Sequence, residues 1–249
     1  MNYETIHQAA LQGDLDDIKR HLQQGAPIDA RNRDNRTPLM RAAGNSHWPA
    51  VEYLVEKGAN INARDDHETT PLLVGAVLQD LNMVKFLVSK GADVNAVDKD
   101  GMTPLIFAGG NGFVSIVAYF VEKGANVHAA NNAGVTSLMK AAVNGHFESL
   151  EIVKYLVERG ADIDARNTYG MTPLMGAVVN GHLEIVKCLV EKGADVNLRN
   201  KQGMTPLTRA IHARRQTIVE FLRQHGAVSI RSKTVLLGRH DQTRGKTNI

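Results

Sequence analysis

A single cysteine, Cys188, stands among 249 residues. One thiol cannot build an internal disulfide framework, and a chain without such cross-links suits a reducing compartment. Long apolar runs are missing as well. No stretch approaches the roughly 18 apolar residues of a membrane span. The start, MNYETIHQAALQGDLDD, lacks the basic-then-apolar order of a secretory signal. The expectation is a soluble, cytoplasmic chain without membrane association. Aromatic content is low, at 5% with one tryptophan, so small and aliphatic side chains must fill the core. There is no HExxH, no paired-cysteine spacing and no nucleophile–base pair at a recurring interval, so neither an enzyme nor a cofactor or metal site is expected. Near the C-terminus, Val235-Leu236-Leu237-Gly238 running into Arg244-Gly245-Lys246-Thr247 imitates a phosphate loop. Six residues separate its glycines where four are needed, and no helix can follow in the two residues that remain.

What is present is a repeat. Gly170 to Asn200 reads GMTPLMGAVVNGHLEIVKCLVEKGADVNLRN. Thr172 is placed to cap a helix, and Pro173 occupies its first position, where a missing N–H costs nothing. Leu174, Ala177 and Val178 form one apolar stripe; Asn180-Gly181 ends that helix. Ile185, Val186, Leu189 and Val190 predict a second helix facing the first, closed at Gly193 by a left-handed cap. The leucine position recurs at Ile6, Leu39, Leu72, Leu105, Leu138, Leu174 and Leu207. The terminal glycine recurs at Gly25, Gly58, Gly91, Gly124, Gly160, Gly193 and Gly226. Both series step by 33 residues, except for one step of 36 between the fifth and sixth units.

A period of 33 with Thr-Pro-Leu at fixed phase resembles the ankyrin repeat. The resemblance implies an all-α solenoid of stacked helix pairs with projecting β-hairpin loops. About seven units are expected over residues 1–228, the first and last acting as caps. Residues 229–249 are expected to form a basic tail. Its first part, 229–237, is strand-like and could lie back on the last helices; the rest is mobile. The fifth unit carries Ser137 in place of proline, and Phe147-Glu148-Ser149 adds three residues that either lengthen the interhelix loop or extend the second helix. Trp48 is expected on the loop joining two helices, over its neighbour. His47, His146 and His182 share the turn before the second helix, an architectural position. Gly75 and Gly176 are expected to tolerate alanine if they face the groove.

The resemblance also implies binding of other proteins through hairpin tips and the inner face of the first helices. At those positions the N-terminal part presents Arg31, Arg33, Arg36, Arg41 and Arg64. The middle presents Val97, Met102, Phe107, Val135, Tyr169 and Met171, and the C-terminal part presents Arg199, Lys201, Met204 and Arg209. An apolar centre rimmed by arginine has the makeup of a protein interface. The partner expected is a protein with an acidic rim, held by a monomer acting as adaptor or inhibitor. Tyr53, Phe86, Tyr119, Tyr155 and Phe221 share the phase of Cys188 on the second helix, where packing between units accounts for them and a convex contact surface is the alternative. From Arg199 onward, 11 Lys/Arg face two acidic residues, a local charge of +9 against −6 for the rest. The alternative function is therefore polyanion or nucleic-acid binding through the basic C-terminal end. It is the less favoured one, because the exposed face lacks basic residues interleaved with aromatics.

Overall fold

In a computed structural model, the structure describes residues 4–228. They contain fourteen helices in seven antiparallel pairs. The first helices of the pairs are α1 (Glu4–Gln12), α3 (Pro38–Ala43), α5 (Pro71–Val77), α7 (Pro104–Gly110), α9 (Ser137–Asn144), α11 (Pro173–Asn180) and α13 (Pro206–His212). Their partners are α2 (Leu15–Gln23), α4 (Trp48–Glu56), α6 (Leu81–Ser89), α8 (Val114–Glu122), α10 (Ser149–Glu158), α12 (Leu183–Glu191) and α14 (Gln216–Gln224). No described helix is long and apolar enough to cross a membrane. The expectations for residues 229–249 lie outside the described residues.

Each first helix from α3 onward begins in the same way. The hydroxyls of Thr37, Thr70, Thr103, Thr136, Thr172 and Thr205 accept the amide three residues ahead, at 3.2–3.3 Å. The next residue is proline in all but α9. Leu39, Leu72, Leu105, Leu138, Leu174 and Leu207 are then fully buried. The positions three and four residues on both carry alanine or glycine from α3 to α9, such as Ala42-Ala43, Gly75-Ala76 and Ala108-Gly109, and the first of them is alanine in α11 and α13 as well. Small residues let first helices approach one another more closely than second helices do. That difference, repeated at every step, bends the stack with its first helices on the concave side.

One local expectation is resolved between its alternatives and two change. The added residues of the fifth pair go mainly into the loop Gly145 to Glu148. They also lengthen α10 to ten residues, against nine in the other second helices. Trp48 is not on a loop. It opens α4 and meets Phe86 of the next pair edge-on, with centroids 5.0 Å apart. Gly75 and Gly176 do not look into open groove. A Cβ on Gly75 would face Met83 at 3.4 Å, in ordinary contact with its own second helix, whereas one on Gly176 would sit 2.6 Å from Val143 Cγ2.

The departure at Ser137 has a steric reason. Its hydroxyl donates to the Leu105 carbonyl at 2.9 Å, in a slot that exists because residue 109 is glycine. A Cβ there would lie 2.1 Å from Ser137 Oγ. Elsewhere the same two positions pair alanine or valine with proline, as in Ala43 with Pro71, Ala142 with Pro173 and Val178 with Pro206. Gly109 and Ser137 are one substitution made in two places.

Candidate protein-binding surface

The hairpins that carry the candidate residues are fixed by their own turns. Asn32, Asp65, Asp98, Asn131, Asn167 and Asn200 stand at one phase, and each side-chain oxygen accepts two amides, two and four residues ahead. Asp65 is buried. Burial alone would raise its carboxyl, but the Thr69 and His67 amides and the Arg36 guanidinium, 3.0 Å away, outweigh this and hold it below the ordinary range. Neighbouring tips are tied by amide bonds such as Lys99 to the His67 carbonyl and Lys201 to the Tyr169 carbonyl. The tips therefore form a continuous edge, not independent loops.

A second ladder runs along the hairpin bases. Asp29, Asn62, Asn95, Asp164 and Asn197 each accept the backbone amide 31 residues ahead. The three asparagines also donate to the carbonyls of Gly91, Gly124 and Gly226. His128 occupies this phase between Asn95 and Asp164 and interrupts the series. Two of the architectural histidines act in the same manner at the other end of the helices. His47 donates to the Leu11 carbonyl at 2.8 Å and His182 to that of Val143 at 3.0 Å. In the last pair Arg215 takes over, donating to Val179 and Asn180.

The candidate residues fall into separate rows. Arg36, Met102, Val135, Met171 and Met204 are half-buried where each hairpin enters its helix. Met102 and Met171 are steadied by side-chain amides of Asn131 and Asn200 on their sulfurs. Arg41, Phe107 and Arg209 form the next row, one turn into the first helices. Arg33, Tyr169 and Lys201 stand exposed at the tips, Tyr169 at 71%. Phe107 and Tyr169 are thus not groove neighbours: one is on a helix wall and the other on a tip. Arg31 and Arg64 are occupied by structure, donating to the carbonyls 33 residues ahead at 2.6 and 2.9 Å. Arg166 does the same to the Arg199 carbonyl.

Arg36, Arg41 and Phe107 do meet, in a cleft of about 270 Å3. Its apolar wall includes Met40, Leu73, Val74, Val77 and Leu78. Val77 and Leu78 were not among the residues singled out by sequence, although comparing the units shows Leu78 where four others carry asparagine; Val77 shares its residue type with Val143 and Val179. Val97, Val143 and Ile211 are further exposed aliphatics, and Phe147 on the lengthened loop is 98% exposed.

The convex side has a different character. Tyr53, Phe86, Tyr119 and Tyr155 are half-buried against the core. Cations lie over them: Lys19 and Lys57 on Tyr53, Lys90 on Phe86, Lys85 and Lys123 on Tyr119, and Arg159 on Tyr155, at 4.6–5.9 Å. Rings pressed between helices and covered by alkyl-ammonium chains are packing elements. Cys188, at the same phase, is buried, which pushes its thiol up and leaves it a poor nucleophile.

A family model described as Ankyrin repeats (3 copies) matches residues 6–98, 82–167 and 147–234. No curated protein matches this chain.

Proposed function

Because the chain belongs to the ankyrin-repeat family, whose arrays are generally protein–protein interaction modules, we propose that it is a non-enzymatic binding protein that holds a protein partner on its concave face. The observation that carries this is the row of half-buried apolar residues along the hairpin exits, Met102, Val135, Met171 and Met204, joined by Phe107 and bounded by arginines at both ends. Apolar side chains on a rigid backbone lose little entropy on docking, and rim charges orient the encounter. Arg33 and Arg41 at one end, and Arg199, Lys201 and Arg209 at the other, suit a partner with an acidic rim. The array acts as a monomer in the cytoplasm. The same surface serves an adaptor, which leaves its partner active, or an inhibitor, which covers the partner's working face.

The test is capture of partners from native lysate by wild-type protein and by Phe107→Ala and Tyr169→Ala variants. Truncating a central anchor typically costs at least about 2 kcal/mol, so a specific protein retained by wild type is expected to be lost from Phe107→Ala and only weakened in Tyr169→Ala, whose ring stands exposed at a tip. A protein retained equally by the variants, or no protein above background beside tight binding of a metabolite, contradicts the proposal. Retention through residues 229–249, abolished by moderate salt, would instead favour a polyanion partner at the basic end.

A further inference from the structure

The third helix pair breaks a pattern that its neighbours keep. At the C-terminal ends of the first helices α3, α7 and α11 an asparagine side-chain amide closes the last turn. Asn45 donates to Arg41, Asn111 to Phe107 and Asn180 to Gly176, at 2.8–3.0 Å. In α5 that position is Leu78, which cannot close the turn and is 42% exposed. One residue earlier, Val77 is 49% exposed, while the same phase in the adjoining pairs holds Gly44 and Gly110. The pair therefore gives up a cap and exposes two aliphatic side chains in succession. Local rules are broken in this way chiefly where a function requires it.

Val77 and Leu78 form one wall of the cleft of about 270 Å3, with Val74 and Phe107 beside them. That volume is at or below the small end for small-molecule sites, so it fits one or two side chains of a chain laid across it. Four charged residues line the cleft. Arg36 is held by Asp65, and Asp65 and Asp98 are each engaged by two amides of their own turns. Arg41 differs. Its Nε is buried without a hydrogen-bond partner among the described residues. A buried donor left unpaired is costly until a ligand supplies the acceptor, and a carboxylate suits a guanidinium best.

We propose that this cleft is where the concave face reads its partner, and that it takes an extended segment with one or two large apolar side chains next to an aspartate or glutamate. The apolar side chains lie on Val77 and Leu78, and the carboxylate satisfies Arg41. This inference rests on the concave-face function proposed above and narrows it to the N-terminal half of the array.

The experiment selects a displayed random-peptide library on the full chain, then measures affinities of the enriched peptides. Enrichment of large apolar residues adjacent to Asp or Glu is expected. Their dissociation constants should rise at least about tenfold in Val77→Gly/Leu78→Asn, which gives the third pair the residues of its neighbours and so keeps the fold. Arg41→Gln should weaken binding and flatten its salt dependence. Enrichment without acidic residues, no enrichment over a protein-free support, or equal binding to the double variant overturns the proposal. If peptides ignore that variant but are lost on Tyr169→Ala with Met171→Ala, the placement fails and the concave-face function stands. Peptides indifferent to all these changes contradict both. Concentration-dependent self-association that disappears in the double variant would make a second copy the occupant, and would also overturn the proposal.

Discussion

Asp164→Asn is expected to stabilise the array, and the ladder along the hairpin bases sets the size of the effect. Asn62, Asn95 and Asn197 each accept an amide and donate to a glycine carbonyl 29 residues ahead. Asp164 accepts the Asp195 amide at 3.1 Å but, ionised, has no proton to give Gly193. Burial, then the charges of Asp195 and Asp162, push its carboxyl above the ordinary aspartate value of 3.8, against the downward pull of the Asp195 amide. Asparagine supplies the missing donor, a gain of about 0.5–1.5 kcal/mol for one net hydrogen bond, and removes a charge the folded state disfavours. The control is Asp29→Asn, which offers the same donor at the same phase toward Gly58. The sign of the pH dependence follows from the raised folded value. Protonation of Asp164 favours the folded state, so its contribution is fully present below 3.8 and is lost as pH rises through the raised value. Thermal melts followed by circular dichroism should show Asp164→Asn about 2–4 °C above wild type at neutral pH for each kcal/mol gained. The difference should shrink as pH falls. A variant melting at or below wild type, or an advantage independent of pH, refutes the assignment of Asp164 as a frustrated ladder position.

The packing makes three further predictions. Leu174→Ala empties a fully buried position shared by its own and adjoining pairs and should cost roughly 2–5 kcal/mol in urea unfolding; a melting point within a degree of wild type would put the core phase in error. Gly109→Ala alone should destabilise by about 1–3 kcal/mol through collision with Ser137, and adding Ser137→Pro should recover most of the loss, with additive costs in a double-mutant cycle contradicting the pairing. Arg33→Ala should mainly slow association with the captured partner and reduce its salt dependence, seen in surface-bound kinetics; Arg36→Ala should also lower the melting point, since it strips Asp65 of its guanidinium.

The helices were legible because their signals repeat. Threonine, proline and leucine mark the start of the first helices from α3 onward, with serine for proline in α9, a glycine follows each second helix, and a phase seen several times outweighs any single doubtful residue. Trp48 stands at the first residue of α4 and not on the loop before it, a boundary the repeat phase does not resolve, and its ring contact, Phe86, lies a whole pair away. Phe107 and Tyr169, grouped by sequence in one apolar centre, part company in the structure. Spacing along the chain does not separate a helix wall from a hairpin tip when each projects from its own row. Gly109 with Ser137 and the interrupted ladder at His128 involve residues about one repeat apart, which only stacking brings together. Even so, the Asp/Asn phase at 29, 62, 95, 164 and 197 was visible, as was Leu78 among asparagines.

The most direct test of the central claim is hydrogen exchange on the full chain with and without the protein it captures from native lysate. Binding on the concave face predicts slowed exchange in the hairpins and first helices, most strongly around Pro71 to Gln79 and Pro104 to Asn111, with the second helices that carry Tyr53, Phe86, Tyr119 and Tyr155 unchanged. Protection confined to those second helices, or to residues 229–249, would contradict it.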